Sequence, residues 1–164
     1  MNKIIFFYSP QKENGFLSNW FPSEFTCDGY HYMTSEQYMM HQKALLFRDT
    51  VTANKILNET DQKTIKHLGR EVKPFYSSIW TLNRKDIMYK GLLEKFRQNK
   101  ALKEQLLATN DAILVEAAPR DVIWGIGLGK DNPKSQDPST WRGKNLLGYT
   151  LMEVRETIRK EDNK

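Results

Sequence analysis

The stretch Thr34–Phe47, TSEQYMMHQKALLF, most constrains what this chain can fold into. It opens on a helix-start signal, with Thr34 or Ser35 as N-cap and Glu36 and Gln37 in the first turn. At helical pitch Glu36, Met40, Lys43 and Phe47 share one face, because steps of three and four residues return a side chain to nearly the same azimuth. A core-seeking helix thus carries a carboxylate and an ammonium two turns apart on one apolar stripe. Burying such charges is costly unless they are paired or used.

A chain of 164 residues supplies one core and is short for two. Hydrophobic residues make up 39% and charged residues 27%, which describes a globular, somewhat polar chain and excludes a disordered one. The net charge of +5 favours an anionic ligand, a phosphate group or nucleic acid without demanding any of them. Acidic and basic residues are interspersed, so a solvated mixed-charge surface is a simpler reading than a dedicated nucleic-acid patch. The single cysteine, Cys27, excludes an intrachain disulfide and a cysteine-based zinc site and points to a reducing compartment. The N-terminal MNKIIFFYSPQ is too short an apolar run for a signal peptide, and no run reaches the roughly 18 to 20 apolar residues of a membrane span. The expected location is cytoplasmic.

Along the chain, Lys3–Tyr8 reads as a strand. In FLSNWFP (16–22), Ser18 and Asn19 lie among aromatics, either as a core loop satisfying its own backbone or as a pocket floor. Phe25–Tyr32 reads as a hairpin turning at Asp28-Gly29. Asp49–Leu57 and Asp61–Leu68 read as short helices, with Gly69 as the C′ residue of the second and Arg70 beyond it, in the usual case a surface arginine but also well placed to hold a phosphate. Pro74–Trp80 reads as an aromatic linker before a helix from about Arg84 to Asn99, capped by Thr81 or Asn83. Its Met88, Leu92, Lys95 and Phe96 predict a core stripe, and Gly91 within it predicts close helix packing. A short helix over Ala101–Ala108 and a buried strand over Ala112–Ala117 follow.

Pro119–Gly129, PRDVIWGIGLG, is the second informative stretch. Its glycines bring backbone close to something, yet their spacing matches neither a dinucleotide fingerprint nor a Walker loop. Lys130–Thr140 reads as a mobile polar loop, and the last helix spans about Leu146–Lys160. The chain thus reads as one α+β domain over 1–160, compact and mostly helical with a small sheet or hairpin, and a frayed tail at 161–164. The histidines His31, His41 and His67 are isolated and make no ligand set.

Glu36 and Lys43, the segment ending in Trp80, and the turn with Asp121 and Trp124 supply two carboxylates and two tryptophans, a set suited to breaking a glycosidic bond. A carboxylate stabilises the cationic sugar and activates water, a tryptophan face takes a base or ring, and a lysine whose pKa is lowered by burial can form an imine with a ring-opened sugar. On spacing alone the simpler account is that Glu36 pairs with Lys43 and the tryptophans are core.

FLSNW (16–20), the Asp28-Gly29 hairpin, TSEQYMMHQKA (34–44), LGR (68–70), the Trp80, Arg84 and Met88 series, KF (95–96), the helix followed by LVEA, PRDVIWGIG (119–127), WRGKNLLG (141–148) and LMEVR (151–155) together resemble the NADAR, or YbiA-like, family, in collinear order over nearly the whole chain. The resemblance implies an N-glycosidase of mostly helical α+β fold, with no metal or cofactor. Its implied substrates are ADP-ribose on guanine bases of DNA or RNA, or phosphorylated ribosylaminopyrimidines of the riboflavin pathway. A non-catalytic ADP-ribose-binding module is the competing class. The resemblance casts Glu36, Lys43 and Asp121 as catalytic residues, and Asn19, Arg70, Trp80, Trp124, Gly125 and Asn145 as substrate-binding ones. The implied partner is an ADP-ribose or ribosyl-phosphate ligand, with no membrane and no obligate protein partner.

Overall fold

A computed structural model describes residues 2–164. The fold is mostly helical α+β, and the described residues form two compact units. One runs from Pro22 to Asn99; the other joins the chain up to Phe21 to Lys100–Lys164.

The first unit opens with a hairpin of β2 (Phe25–Cys27) and β3 (Tyr30–Tyr32), antiparallel, with Phe25 opposite Tyr32. Asp28 and Gly29 turn it with φ of 51° and 86°, as a type I′ turn requires. Helices α1 (Ser35–Leu46), α2 (Thr50–Leu57), α3 (Gln62–Arg70) and α4 (Ser77–Gln98) follow. Helix α1 packs against all three of the others and is buried from Ser35 through His41, so it is a central helix and not a one-sided amphipathic one. Its start is fixed by polar ties. The Thr34 hydroxyl accepts from the Gln37 backbone N–H and donates to Gln62 Oε1. The Gln37 side chain accepts from Met33 N–H and donates to the carbonyls of Ile56 and Glu59, joining hairpin end, helix start and the end of α2.

Two helix contacts depend on a missing side chain. A Cβ on Gly91 of α4 would fall within the Tyr38 ring, as expected for close packing, and one on Gly69 would fall on the Met40 sulfur. Gly69 is therefore not the C′ residue expected from sequence. It has no positive φ, α3 continues through Arg70, and the glycine serves the contact with α1. Helix α4 also differs from expectation. It begins at Ser77, so Trp80 lies on the helix and not in a linker, and Asn83 donates from its side chain to the Ile79 carbonyl instead of capping. The stripe Met88, Leu92, Lys95 and Phe96 is buried as expected.

In the other unit β1 (Ile4–Phe7) pairs in parallel with β4 (Ile113–Glu116), Ile4 opposite Ile113. Helix α5 (Lys100–Leu107) contacts α6 (Leu146–Asp162), and α6 packs on β4 through Leu147, Leu151, Val154 and Ile158. Helix α6 continues through Asp162, into the stretch 161–164 expected to fray. Arg155 of α6 donates to Thr109 Oγ1 and to the Ala112 carbonyl, closing the turn that feeds β4. The stretch expected to be a mobile loop, 130–140, instead folds as two 3-10 turns, Pro133–Gln136 and Pro138–Thr140, capped by Asn132 and Asp137. Ser135 is fully buried and its carbonyl accepts from the Trp141 indole. Among the described residues no helix is long and apolar enough to cross a membrane.

Candidate active site

Within the unit Pro22–Asn99, Glu36 sits in the first turn of α1, 6% exposed. There the partial positive charge of the helix N-terminus favours a carboxylate. Lys43 lies two turns later, half-buried. Its ammonium stands 4.7 Å from the Phe75 ring centroid and 5.7 Å from that of Trp80, within cation–π range of both. Lys43 makes no hydrogen bond or ion pair among the described residues, so the simple pairing of Glu36 with Lys43 suggested by spacing is not what holds this ammonium.

The electrostatics explain what the arrangement favours. Burial holds the Lys43 pKa below the ordinary lysine range; the Glu36 charge pulls it up and the Arg70 charge pushes it further down. Glu36 and Arg70 are therefore both in electrical reach of Lys43. Arg70, in the last turn of α3, is exposed. Trp80, in the first turns of α4, is 9% exposed, its ring shared with the lysine. Phe75, 42% exposed, is the part of this set that sequence reading missed. The only signal for it was the aromatic density of PFYSSIW.

The other predicted residues belong to the second unit, where four of them share one braced turn. Asp121 Oδ1 accepts from the backbone N–H groups of Ile123 and Trp124, at 2.9 and 2.8 Å, so this carboxylate shapes the turn. The Trp124 carbonyl accepts from Leu147 N–H and the Gly125 carbonyl from Asn145 N–H. A Cβ on Gly125 would lie 3.0 Å from the Glu116 carbonyl oxygen, so the turn lies tight against β4. Asn145, with φ of 51°, is fully buried. Its amide donates to the Leu114 carbonyl and accepts from Glu116 N–H, stitching the start of α6 to β4. Asn19, 7% exposed, follows the 3-10 turn Gly15–Leu17, where the Ser18 hydroxyl accepts from Trp20 N–H. That bond is one a self-satisfying loop makes.

A cavity of about 720 Å³ runs beside β1, bordered by Lys3, Lys12, Pro119 and Lys130, and contains none of the predicted site residues. Among the described residues no group of three or more His, Cys, Asp or Glu side chains is placed to hold a metal ion. What the first unit can supply is a lysine that gives up its proton more readily than an exposed one, resting on aromatic faces in electrical reach of a buried carboxylate. That combination suits nucleophilic or base chemistry on an electrophilic carbon.

Comparisons with known proteins agree with this chemistry. A family model described as the NADAR domain matches residues 6–159. The chain is 41% identical over 163 residues to N-glycosidase R617 of Acanthamoeba polyphaga mimivirus, covering 94% of this chain and 96% of that protein. It is 35% identical to the riboflavin biosynthesis protein VVA0006 of Vibrio vulnificus, covering 96% of this chain but 39% of that protein. The NMR structure of the Escherichia coli protein YbiA, elsewhere named N-glycosidase YbiA, superposes with a TM-score of 0.83 at 32% identity, covering 100% of this chain and 89% of that one.

Proposed function

The chain belongs to the NADAR domain family, and from that premise we propose that it is an N-glycosidase that releases ADP-ribose from guanine bases in nucleic acid. The observation that carries the proposal is Lys43, held half-buried over Phe75 and Trp80 with its pKa lowered by burial, in electrical reach of Glu36. In the reaction the bond between ribose C1 and the base nitrogen breaks. The electron pair leaves with the base, which takes up a proton, and C1 becomes cationic. Glu36 stabilises that cation and either deprotonates the attacking water or accepts the proton that Lys43 gives up. On the second route the Lys43 amine joins C1 of the opened sugar as an imine, which water then hydrolyses to free ADP-ribose and free lysine. Trp80 offers a stacking face and Arg70 a charge for phosphate.

Asp121 and Trp124 enter on the family resemblance, as a stabiliser of positive charge and a second stacking face. Asn19, Gly125 and Asn145 enter in the same way as ligand-contact positions. The reaction needs no cofactor, and a cytoplasmic site of action is part of the proposal. The net charge of +5 supports a nucleic-acid substrate, since phosphate attraction aids encounter. A second reading, cleavage of phosphorylated riboflavin precursors, is favoured by the name of the Vibrio relative.

The test incubates the protein with guanine-ADP-ribosylated DNA and with a ribosylaminopyrimidine phosphate and follows released base by mass spectrometry. Release from the DNA is expected, and Glu36→Gln should lower it by about 10²- to 10⁴-fold while ADP-ribose binding persists. Release from the pyrimidine alone would move the assignment to the second reading. Release from neither would leave only a binding module. Borohydride added during turnover should trap an adduct on Lys43, and its absence would leave water as the nucleophile.

A further inference from the structure

Helix α4 carries a second buried cation that the proposed chemistry leaves idle. Arg84 is 8% exposed, and among the described residues it makes no hydrogen bond or ion pair. A guanidinium holds a permanent charge and five donors. The Arg84 donors are not among the fully enclosed side-chain polar atoms of the described residues, so, though deep, they keep contact with solvent and stand open to an acceptor from outside the fold. The position is also specific. Trp80, Arg84, Met88 and Gly91 recur at steps of four, four and three, so they share one face of α4. Both ends of that face meet α1: Trp80 lies against the Lys43 ammonium, and Gly91 lies against the Tyr38 ring. Arg84 is between these contacts, one turn from the tryptophan.

We propose that Arg84 binds a phosphoryl group of the ligand whose ring lies on Trp80. The claim rests on the glycosidase reading only for which phosphorylated ligand is meant. A neutral acceptor would satisfy donors but leave the charge uncompensated, whereas phosphate oxygens match the planar fork and its charge together. The neighbourhood points the same way, because Lys43 and Arg70 already oppose a single carboxylate, Glu36. The diphosphate of ADP-ribose and the phosphate of a ribosyl precursor share this chemistry, and the probes separate them.

The experiment measures binding of ADP-ribose and of ribose 5-phosphate by calorimetry, and thermal melting with and without each, for the wild type, Arg84→Met, Arg84→Lys and Glu36→Gln. At least one of the two ligands should bind the wild type and raise its melting temperature. Arg84→Met should weaken that ligand at least about tenfold while melting no lower than the wild type, since it removes a buried charge; a purely structural arginine would show the reverse pattern. Arg84→Lys should retain part of the affinity and serves as the decisive variant if Arg84→Met does not fold. Binding by Arg84→Met, or by Arg84→Lys in that case, indistinguishable from wild type overturns the inference, as does a wild type that neither ligand stabilises. Glu36→Gln should still bind the ligand, since it removes a negative charge and leaves Arg84 in place. If it also turns over normally while Arg84→Met loses the ligand, the glycosidase reading fails and the phosphoryl site stands.

Discussion

At the residue scale the central fact is that Lys43 is surrounded by influences of opposite sign. Burial and the Arg70 charge both disfavour its ammonium, and Glu36 favours it. A titration of Lys43 followed by the ¹³Cε shift should therefore show a midpoint below the ordinary lysine value of about 10.4. Removing the lowering charge with Arg70→Gln should move that midpoint up, by a small step because Arg70 is exposed and screened. Removing the raising charge with Glu36→Gln should move it down. A wild-type midpoint at or above the ordinary value would remove the case for a lysine made easier to deprotonate by its surroundings. Helical spacing was enough to put Glu36 and Lys43 on one face. It was not enough to decide between mutual pairing and separate use, because that choice is made by Phe75 and Trp80, which arrive from another part of the chain. Asn145 illustrates the opposite difficulty. A polar residue at a turn reads equally as a ligand contact or a brace, and only the strand carbonyl and N–H it meets show that its amide is engaged.

At the scale of elements, α1 is held in place by glycines on its neighbours. Alanine at Gly91 would gain about 1 kcal/mol of helix propensity. Its methyl would nonetheless strike the ring of Tyr38, which is 1% exposed and has no room to swing away. Overpacking of this kind costs about 1–3 kcal/mol, and with the added carbon falling on Tyr38 ring atoms the upper part of that range applies and outweighs the gain. Gly91→Ala should therefore lower the melting temperature by a few degrees, about 2–4 °C for each kcal/mol lost in a domain of this size. A variant melting at or above the wild type would show that α1 and α4 are less closely seated than the structure has them. The same contact explains which elements were legible. The hairpin, α1, β4 and α6 carry local signals that the fold does not contradict: a turn dipeptide, an N-cap, an apolar run and a helical period. The close packing behind Gly91 was also readable, because an interior glycine has few other reasons to persist in a helix. Gly69 was misread because a glycine near a helix end has two uses, and only Met40, on a different helix, selects between them. The first turns of α4 were missed because PFYSSIW is aromatic and β-leaning by composition, while the burial of Trp80 against α1 favours helix there. The parallel pairing of β1 with β4 joins the two ends of the sequence and leaves no local trace.

For the whole molecule, the buried titratable groups set how stability follows pH. The Tyr32 hydroxyl shares a 2.7 Å hydrogen bond with His41 Nδ1 and accepts from the Gln42 amide. Burial holds the His41 pKa below its ordinary value, and it pushes fully buried Lys95 down to about 7. For both groups the unfolded chain binds the proton more readily than the folded one. Their stabilising effect is complete above the unfolded pKa and is lost as pH falls through the folded pKa. For His41 that loss begins below about 6.5; for Lys95 it spans about 10.4 down to 7. Asp49 adds a further acid loss. Desolvation opposes its charge, but the Thr52 side chain and the backbone N–H groups of Lys73 and Thr52 bond the carboxylate and together hold its pKa below the usual range. On the alkaline side burial raises the pKa of Cys27, Tyr32 and Tyr38, so the unfolded chain loses those protons first and stability declines above about 9 to 10. The urea midpoint should therefore rise from pH 5 to about 9 and then turn down. Lys95→Met should flatten the part between 7 and 9 while leaving the acid limb, because it removes a proton site present only in the unfolded chain over that range. A wild-type midpoint that is flat or falling between pH 7 and 9 would mean that Lys95 keeps its charge in the folded protein.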